Sequence, residues 1–386
     1  MPPARKPRTT KAASTKTRSK KAAPKAALTQ AELPLAKSEA EVKPNAKARE
    51  VFDALIWYDP GQGYMAREVA ELAGLRTIEV GITGEAIDER DEPALFGEAR
   101  RITDIRSAIA TTDAKVVWLT SAGVHGREAS PLEDQELLRA AAERGVRVCT
   151  LEPAPESAVD LGQRNCMWAR TTPMLVEAPV FAELRECLPE IGPIRAVHVS
   201  GRSTTACGSL GARLFDAMAT VHALLGAADR IDASIVSPGA TRGVYRPPST
   251  ALRAAQGDLS AHLRFSNGKS ATVNVTNHAG AWQRGVTVLG DLACARVTDH
   301  RVDLVFADGH VEDRHEGAVR SAESSDSGVV RIADQLRRAI DPRSPELPPM
   351  DAKAILAMCE AAILSARTGE AEHPSTLLLM AGVKRR

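Results

Sequence analysis

A glycine pair near residue 60 has the spacing that lets a protein backbone bind phosphate. The segment Gly61-Gln62-Gly63-Tyr64-Met65-Ala66 is a G-x-G-x-x-A pattern. Glycines carry no side chain, so they allow backbone N–H groups and a helix N-terminus to approach a pyrophosphate. Asp59 and Pro60 stand directly before the glycines, where an anionic side chain is a poor neighbour for phosphate. The segment therefore predicts either a nucleotide-binding turn or a ligand-free turn between a strand and a helix.

The elements around this turn form a strand, turn, helix and second strand. Residues 54–58 are a short, continuous apolar run, which suits a strand buried on both faces. Apolar residues then recur at helical spacing over residues 65–72, and Gly74 is a typical helix end. Residues 78–82 alternate as in a second strand. A unit of about thirty residues with this order is typical of dinucleotide binding.

The alternation of strands and helices continues to about residue 170. Residues 115–120 and 146–151 are predicted strands, and residues 133–144 are a predicted helix with one apolar face. A further helix is predicted to begin after Asp104. Strands that alternate with helices predict a Rossmann-type, doubly wound parallel α/β sheet over residues 49–170.

The second half of the chain has a different pattern. Asn267-Gly268 lies between two predicted strands and is a strong hairpin signal. Helices are expected near residues 209–225, 329–340 and 351–367. The predicted strands are residues 194–200, 231–237, 259–265, 271–276, 286–289, 295–298 and 302–306. Residues 171–386 are therefore predicted to form an α+β domain with a largely antiparallel open sheet.

The composition is that of a globular chain long enough for two domains. Of its 386 residues, 44% are hydrophobic and 26% charged. No apolar run approaches the roughly twenty residues that a membrane span needs, so no membrane association is expected. The six cysteines are scattered without metal-ligand spacing. They predict reduced thiols, mostly in the core, and a cytoplasmic location.

Residues 1–30 are a separate, strongly basic segment. They hold nine Lys and Arg and neither Asp nor Glu, whereas the remainder of the chain has a net negative charge. Because the segment has almost nothing to bury, we expect residues 1–48 to be a disordered tail and linker. Dispersed cations gain affinity for nucleic acid by releasing its counterions. Nucleic acid is thus one candidate partner, and a solubilising extension without a specific partner is the alternative.

Six further segments occur in the order and spacing of one known family. They are Thr120–His125, Gly145–Pro153, Leu214–Gly226, Leu263–Gly268, Gly290–Ala293 and Ala361–Gly369. Over roughly residues 50–380 the chain resembles the Gfo/Idh/MocA oxidoreductases, the group of glucose–fructose oxidoreductase and inositol dehydrogenase. The resemblance implies an NAD or NADP cofactor and a sugar, polyol or related hydroxyl compound as the small-molecule substrate. It also implies a homo-oligomer paired through the open sheet face.

Two functional positions of the family hold different residues in this chain. The lysine of the family's E-K-P, which lies near the nicotinamide and the substrate, is Glu152 here. The histidine that relays the substrate proton is Asp216, counted back from Leu224-Leu225-Gly226. The resemblance thus makes Glu152 and Asp216 the candidate catalytic residues. If they lie together, one pKa rises and that group acts as acid or base near neutral pH. The alternative is that both are acids at element ends without a catalytic role.

The resemblance also implies a set of cofactor contacts. These positions are Gly61, Gly63, Ala66, Thr83, Thr120 and His125. The ribose-binding carboxylate of the family falls near Thr83, and Glu85 is the nearest acid. Because the ribose-binding carboxylate is absent at Thr83, the choice between NAD and NADP stays open. His125 either lines the site or caps its loop.

Three functions are compatible with these patterns. The preferred one is an NAD(P)-binding oxidoreductase with altered acid and base residues. The second is a catalytically silent relative that serves as a sensor or scaffold. The third gives the main role to the basic tail, which would tether the folded part to nucleic acid or another polyanion.

Overall fold

The fold is given by a computed structural model that describes most of the chain between residues 51 and 382. The described residues are 51–84, 95–120, 130–153, 155, 157–163, 167–236, 251–316, 327–345, 347 and 349–382. The basic segment 1–30, the linker to residue 48 and the candidate residue His125 lie outside this set. The expectations for them, and the predicted domain limits, stay predictions.

Six parallel strands form the first sheet, which confirms the predicted Rossmann-type class. Its strands are β1 (Phe52–Tyr58), β2 (Leu75–Ile82), β3 (Arg100–Arg101), β4 (Val116–Leu119), β5 (Arg147–Thr150) and β6 (Ala169–Arg170). Its helices are α1 (Gly63–Ala73), α2 (Ile105–Thr111), α3 (Gln135–Glu143) and α4 (Ala158–Gln163). The strand order is β3-β2-β1-β4-β5-β6 and reverses between β1 and β4. Ligands of doubly wound sheets bind beside such a reversal.

Strand β1 and helix α1 form as the apolar pattern predicts. Residues 54–58 are at most 5% exposed, because neighbouring strands and helices cover both faces of β1. Met65 and Val69 of α1 are buried, and the helix ends at Gly74 with a φ of +79°. Leu72 is 36% exposed, so the apolar face of α1 is narrower than its sequence indicates.

Eight strands form the second sheet, which is largely antiparallel as predicted. They are β7 (Ile194–Arg202), β8 (Arg230–Val236), β9 (Asp258–Arg264), β10 (Ser270–Thr276), β11 (Gln283–Gly290), β12 (Ala293–Thr298), β13 (Arg301–Phe306) and β14 (Val311–Glu316). Their order is β14-β13-β12-β11-β7-β10-β9-β8, and only β7 and β10 pair in parallel among these strands. Asn267-Gly268 joins β9 to β10, with a φ of +80° at Gly268.

Six α-helices are described in the second half of the chain. They are α5 (Pro179–Ile191), α6 (Leu210–Leu225), α7 (Ala251–Ala254), α8 (Ser327–Ile340), α9 (Ala352–Thr368) and α10 (Pro374–Met380). Helix α6 packs on β7 and β10, and α9 packs on β8 and α6, which encloses the larger core. Helix α8 packs instead on α1 of the first sheet. Along β9, buried Leu259, Ala261 and Leu263 alternate with exposed residues on the open face.

The sequence pattern did not predict seven of the helices and strands named above. Helices α4 and α7 span only six and four residues. Strands β3 and β6 are two residues long, too short for any periodicity. Strand β14 has one apolar residue, and α5 carries Pro189 within it. Helix α10 is only seven residues long. Each of these elements depends on neighbours in space rather than on its own sequence.

Three further expectations concern membrane-spanning helices, metal sites and the state of the cysteines. Among the described residues, no helix is long and apolar enough to cross a membrane. Within the same residues, no group of His, Cys, Asp and Glu is placed to hold a metal ion. Five cysteines are described, all are free thiols, and four of them are buried, as the scattered pattern predicts.

Glu360 gives the stability of the fold a pH dependence. Burial raises the pKa of this α9 carboxyl to about 7 from 4.5, although it accepts the N–H of Ala158. A folded-state pKa above the unfolded value means that stability falls as the pH rises from about 4.5 to about 7. Glu360→Gln removes the charge and keeps an acceptor. We expect it to raise the free energy of unfolding at pH 8 by about 1 kcal/mol, allowing for solvent screening.

Urea denaturation at pH 4 and pH 8 measures this effect. The gain from Glu360→Gln should disappear at pH 4, where the wild-type carboxyl is protonated in both states. Glu71→Gln, at an exposed position of α1, is the matched control and should show no such gain. An equal gain at both pH values would contradict the prediction.

Candidate nucleotide and substrate site

The glycine segment after β1 begins with a tight β-turn. The N–H of Gln62 donates to the carbonyl of Asp59 at 2.9 Å, and Pro60 and Gly61 occupy the two central positions. Gly61 has a φ of +85°, and a Cβ there would meet no atom within 4 Å. Proline followed by a glycine of positive φ is the pattern of a type II turn. Asp59 and Pro60, which interrupt the expected motif in the sequence, therefore build the turn.

Helix α1 begins directly after this turn without a side-chain cap. Gln62 makes no capping hydrogen bond, and the first turn of the helix holds no acidic residue. Gly63 is buried, and Ala66 is fully buried against the sheet. The N–H groups and the dipole at such a helix start attract anions. The local geometry is thus suited to a phosphate group.

The side chain of Gln62 connects the two halves of the site. Its Oε1 accepts the N–H of Asp59 at 3.0 Å and the hydroxyl of Thr120 at 2.7 Å. Its Nε2 donates to the carbonyls of Thr120 at 3.4 Å and Ala206 at 3.2 Å. Thr120 follows β4, whereas Ala206 lies just before α6. All four hydrogen-bonding positions of the amide are therefore used, at the reversal of the strand order.

The remaining predicted cofactor positions differ in what the structure shows of them. Thr120 is 1% exposed and lies beside the glycine turn, as expected. The Thr83 hydroxyl, at the end of β2, accepts the indole N–H of Trp57 at 2.9 Å. His125 and Glu85 lie outside the described residues. The cofactor roles of all these positions stay predictions.

A cavity of about 370 Å³ lies between the glycine turn and the second half of the chain. Gly61, Gln62 and Thr120 line it from the first half. Ser209, Arg253 and Asn277 line it from the second half. Small-molecule sites occupy about 300–1,000 Å³, so this cavity has the size for a small ligand.

The two candidate catalytic acids, Glu152 and Asp216, contact different partners. Asp216 accepts the N–H of Leu175 at 2.7 Å and Nη1 of Arg284 at 3.0 Å. Glu152 accepts the hydroxyl of Ser209, the residue before α6, at 3.4 Å. Both acids are buried. Asp216 thus stands in an ion pair with an arginine, and the catalytic roles of both acids stay predictions.

Arg284 of β11 is the centre of a buried ionic cluster. Its Nε donates to Asp299 at 2.8 Å, and its Nη1 donates to Asp216 and to the carbonyl of Pro173, each at 3.0 Å. Burial alone would lower its pKa, but the two carboxylates outweigh burial and raise the pKa of Arg284 above its usual value. Burial would raise the pKa of Asp299, yet Arg284 and Arg331 together lower it. Arg284 and Asp299 are therefore both charged throughout the neutral range.

A second buried arginine, Arg213, lies beside this cluster. Its guanidinium carbon is 4.2 Å from the centre of the Trp282 ring, and Arg284 lies 5.2 Å from the same ring centre. Within the described residues, none of its three side-chain nitrogens makes a hydrogen bond. Burial lowers the pKa of Arg213 to about 10, so it remains a cation at neutral pH.

Several residues of the site were not identified from the sequence. Gln62 occupied an unspecified position of the glycine motif, and Arg253 and Arg284 fell outside every quoted segment. Arg284 stands 68 residues from Asp216, so no local pattern relates the two. Asn277, which follows β10, also lines the cavity.

Comparison with known proteins supports the fold. No family profile and no curated protein match the sequence, but solved structures match the fold. One is described as levoglucosan dehydrogenase with NADH and L-sorbose (15% identity, TM-score 0.57, covering 84% of this chain and 99% of that one). Another is GenD2 from gentamicin A biosynthesis with NAD (18%, TM-score 0.55, covering 84% and 96%). A third is biliverdin reductase from Synechocystis sp. PCC 6803 with biliverdin and NADP+ (16%, TM-score 0.52, covering 82% and 98%).

These matches extend over nearly the full length of the solved chains. The two-part fold expected from the Gfo/Idh/MocA resemblance is therefore confirmed. At identities of 15–18% the likeness is one of fold alone. The activity of this chain has to be argued from its own residues.

We expect Arg284→Met to destabilise the fold strongly. Asp216 would lose its ion-pair partner. Among the described residues, Asp299 would keep the indole N–H of Trp282 and one ion pair, to Arg331 at 3.4 Å. Removing one member of a buried ion pair costs about 3–5 kcal/mol, because the other charge stays buried. The free energy of unfolding in urea, followed by circular dichroism, measures the loss.

Arg301→Met provides the control for this substitution. Arg301 is half-exposed and pairs with Asp303, so its loss should change the free energy of unfolding by at most about 1 kcal/mol. A similarly small effect of Arg284→Met would show that the buried cluster contributes little to stability.

Proposed function

We propose that the chain binds NAD or NADP at residues 61–66 and acts as an oxidoreductase on a small hydroxyl compound, such as a sugar or polyol. The observation that carries this proposal is the cavity of about 370 Å³. The glycine turn bounds it on one side and residues of the second half on the other. A cofactor at the turn and a substrate against the second half would meet there.

The residues at the turn fit a dinucleotide. Gly61 leaves open space beside the backbone, and the uncapped start of α1 offers N–H groups to a pyrophosphate. When bound, the nicotinamide of NAD or NADP supplies or accepts a hydride. Thr83 stands where the family has a ribose-binding carboxylate, so the residues favour neither cofactor.

The acid and base residues are altered in this proposal. In the oxidation of an alcohol, the carbon that bears the hydroxyl gives up a hydride and the hydroxyl oxygen loses its proton, which leaves a carbonyl. Negative charge develops on the oxygen as the proton leaves. The family resemblance assigns this work to a lysine and a histidine, at the positions of Glu152 and Asp216. Two groups that each contribute about 10²-fold amount to about 5 kcal/mol of transition-state stabilisation. We therefore expect slow turnover at neutral pH, with an increase on acidification if a carboxyl group becomes protonated.

The second candidate function is that of a catalytically silent sensor or scaffold. The ion pair of Asp216 with Arg284 favours it, because both carboxylate oxygens are engaged as acceptors. A carboxylate held in this way is poorly placed to relay a substrate proton. Cofactor binding without turnover is the result that this function requires.

We further propose a homo-oligomer, a cytoplasmic location and a polyanion partner for the tail. The open face of the second sheet supports the homo-oligomer, and the free, mostly buried thiols support the cytoplasmic location. The nine cations of residues 1–30 support nucleic acid as the polyanion partner of the tail.

Thermal-shift titration with NAD, NADH, NADP and NADPH tests cofactor binding. A cofactor at 100 times its dissociation constant stabilises the folded state by about 2.7 kcal/mol and raises the melting temperature. Gly63→Asp should abolish this shift, because a carboxylate would occupy the phosphate position. Gly280→Asp is the control, since Gly280 is exposed and has open space around its Cβ position. The absence of a shift with all four cofactors would refute the proposed function.

The same protein, once a cofactor is shown to bind, is assayed for NAD(P)H formation with a panel of sugars and polyols from pH 5 to pH 8. Weak turnover that falls further in Glu152→Gln or Asp216→Asn supports the altered oxidoreductase. No turnover supports the silent relative. Fast turnover at neutral pH in both variants would show that the active site lies elsewhere.

The tail proposal is tested by binding of the full chain to duplex DNA at increasing salt. Affinity should fall steeply between about 50 and 200 mM salt, because phosphate contacts release counterions. A truncated chain that begins at Glu50 should lose the binding. Equal binding by both chains at low salt would contradict a role for residues 1–30.

A further inference from the structure

Arg253 is a buried cation that lines the cavity between the two halves of the chain. It lies on helix α7, and its side chain is 5% exposed. Its Nε makes no hydrogen bond within the described part of the chain. Among the described residues its ion-pair partner is Glu133, whose Oε1 lies 3.9 Å from Nη1 of Arg253. At that distance the charges attract each other without a hydrogen bond.

A guanidinium in this state retains most of its capacity to bind. It carries five N–H donors in a planar fork that matches a carboxylate. Burying a cation with few hydrogen bonds is costly, and Glu133, at 37% exposure, offsets only part of that cost. An anion in the cavity would give the guanidinium a hydrogen-bonding partner beyond those among the described residues.

Other charges around the cavity leave this role to Arg253. Asp59 lines the side of the glycine turn, and Glu152 contacts Ser209 on the other side. Arg213 lies behind Gly208, with its Nη2 3.8 Å from the Cβ position of that glycine. It adds positive charge behind the wall, whereas Arg253 itself lines the cavity.

Neutral polar groups line the same cavity as Arg253. Gln256, Asn277, Thr205 and Ser209 all line the cavity. The side-chain oxygen of Asn277 accepts the N–H of Gly257 at 3.1 Å, which holds this amide in place. Amide and hydroxyl groups both donate and accept hydrogen bonds, so they match the hydroxyl groups of a ligand.

We propose that Arg253 binds the carboxylate of an acidic substrate, so that the hydroxyl compound is a sugar acid or hydroxy acid rather than a neutral sugar or polyol. This inference rests on the proposed function for the identity of the site, but the charge preference is measurable without turnover. A cofactor phosphate is the competing anion. It is expected at the start of α1, beside the glycine turn that bounds the cavity from the first half, whereas Arg253 lines the cavity from the second half.

The test compares two pairs of ligands that differ in a carboxylate: D-gluconate with D-sorbitol, and D-glucuronate with D-glucose. Binding to the full chain is measured by calorimetry, with and without saturating cofactor. We expect at least one acid to bind about tenfold more tightly than its neutral partner. Arg253→Gln should weaken the binding of that acid by about 10- to 100-fold and leave the binding of the neutral compound unchanged. Arg253→Lys should retain part of the preference, since it keeps the charge but not the fork.

Arg202→Gln, at an exposed position of β7, is the control and should bind all four compounds like the wild type. Equal binding of acids and neutral partners, an acid preference that survives Arg253→Gln, or no binding of any compound would overturn the inference. Weakened cofactor binding by Arg253→Gln, with acid binding intact, would assign Arg253 to the cofactor and overturn it too. Failure of the proposed function is a separate result, since it appears as the absence of any cofactor-induced thermal shift in the wild type.

Discussion

The buried ion pairs of Arg284 are the interaction on which the geometry of the site depends. One guanidinium joins helix α6 through Asp216, the segment after β6 through the Pro173 carbonyl, and the turn after β12 through Asp299. Charges are costly to bury, so each partner is stable only while the others are in place. The start of α6, which carries Ser209 at the edge of the cavity, is fixed as a consequence.

The same cluster limits the chemistry that the site can perform. Asp216 is paired with Arg284, and Glu152 is a buried carboxylate that accepts the hydroxyl of Ser209. Positive charge is present instead on Arg213, behind the cavity wall, and on Arg253, within the wall. An arginine with a pKa of about 10, as burial gives Arg213, keeps its proton at neutral pH. Such cations can hold an anion, but they do not shuttle protons, so the charge pattern favours binding over acid–base catalysis.

The sequence predicted those parts of the fold that have a local signature. The apolar run at residues 54–58, the glycine turn and the Asn267-Gly268 hairpin each depend on neighbours in the chain, and each is present. The site depends on partners that are far apart in sequence. Gln62 contacts Ala206, which is 144 residues away, and such a contact leaves no periodic pattern. The resemblance to a family indicated a glycine turn and two acids as the candidate site, and it gave no indication of Arg213, Arg253 or Arg284.

Gln62 bears on whether nucleotide binding persists without the family's acid and base residues. Its amide uses all four hydrogen-bonding positions on Asp59, Thr120 and Ala206, so it fixes the turn against both halves of the chain. A ligand that displaced this side chain would have to replace four hydrogen bonds. A pyrophosphate at the N–H groups of α1 need displace none, because Gln62 does not cap that helix. The turn is therefore organised for phosphate before any ligand arrives, which lowers the entropic cost of binding. Neither Glu152 nor Asp216 takes part in these hydrogen bonds of Gln62, so the proposed cofactor binding does not depend on the proposed turnover.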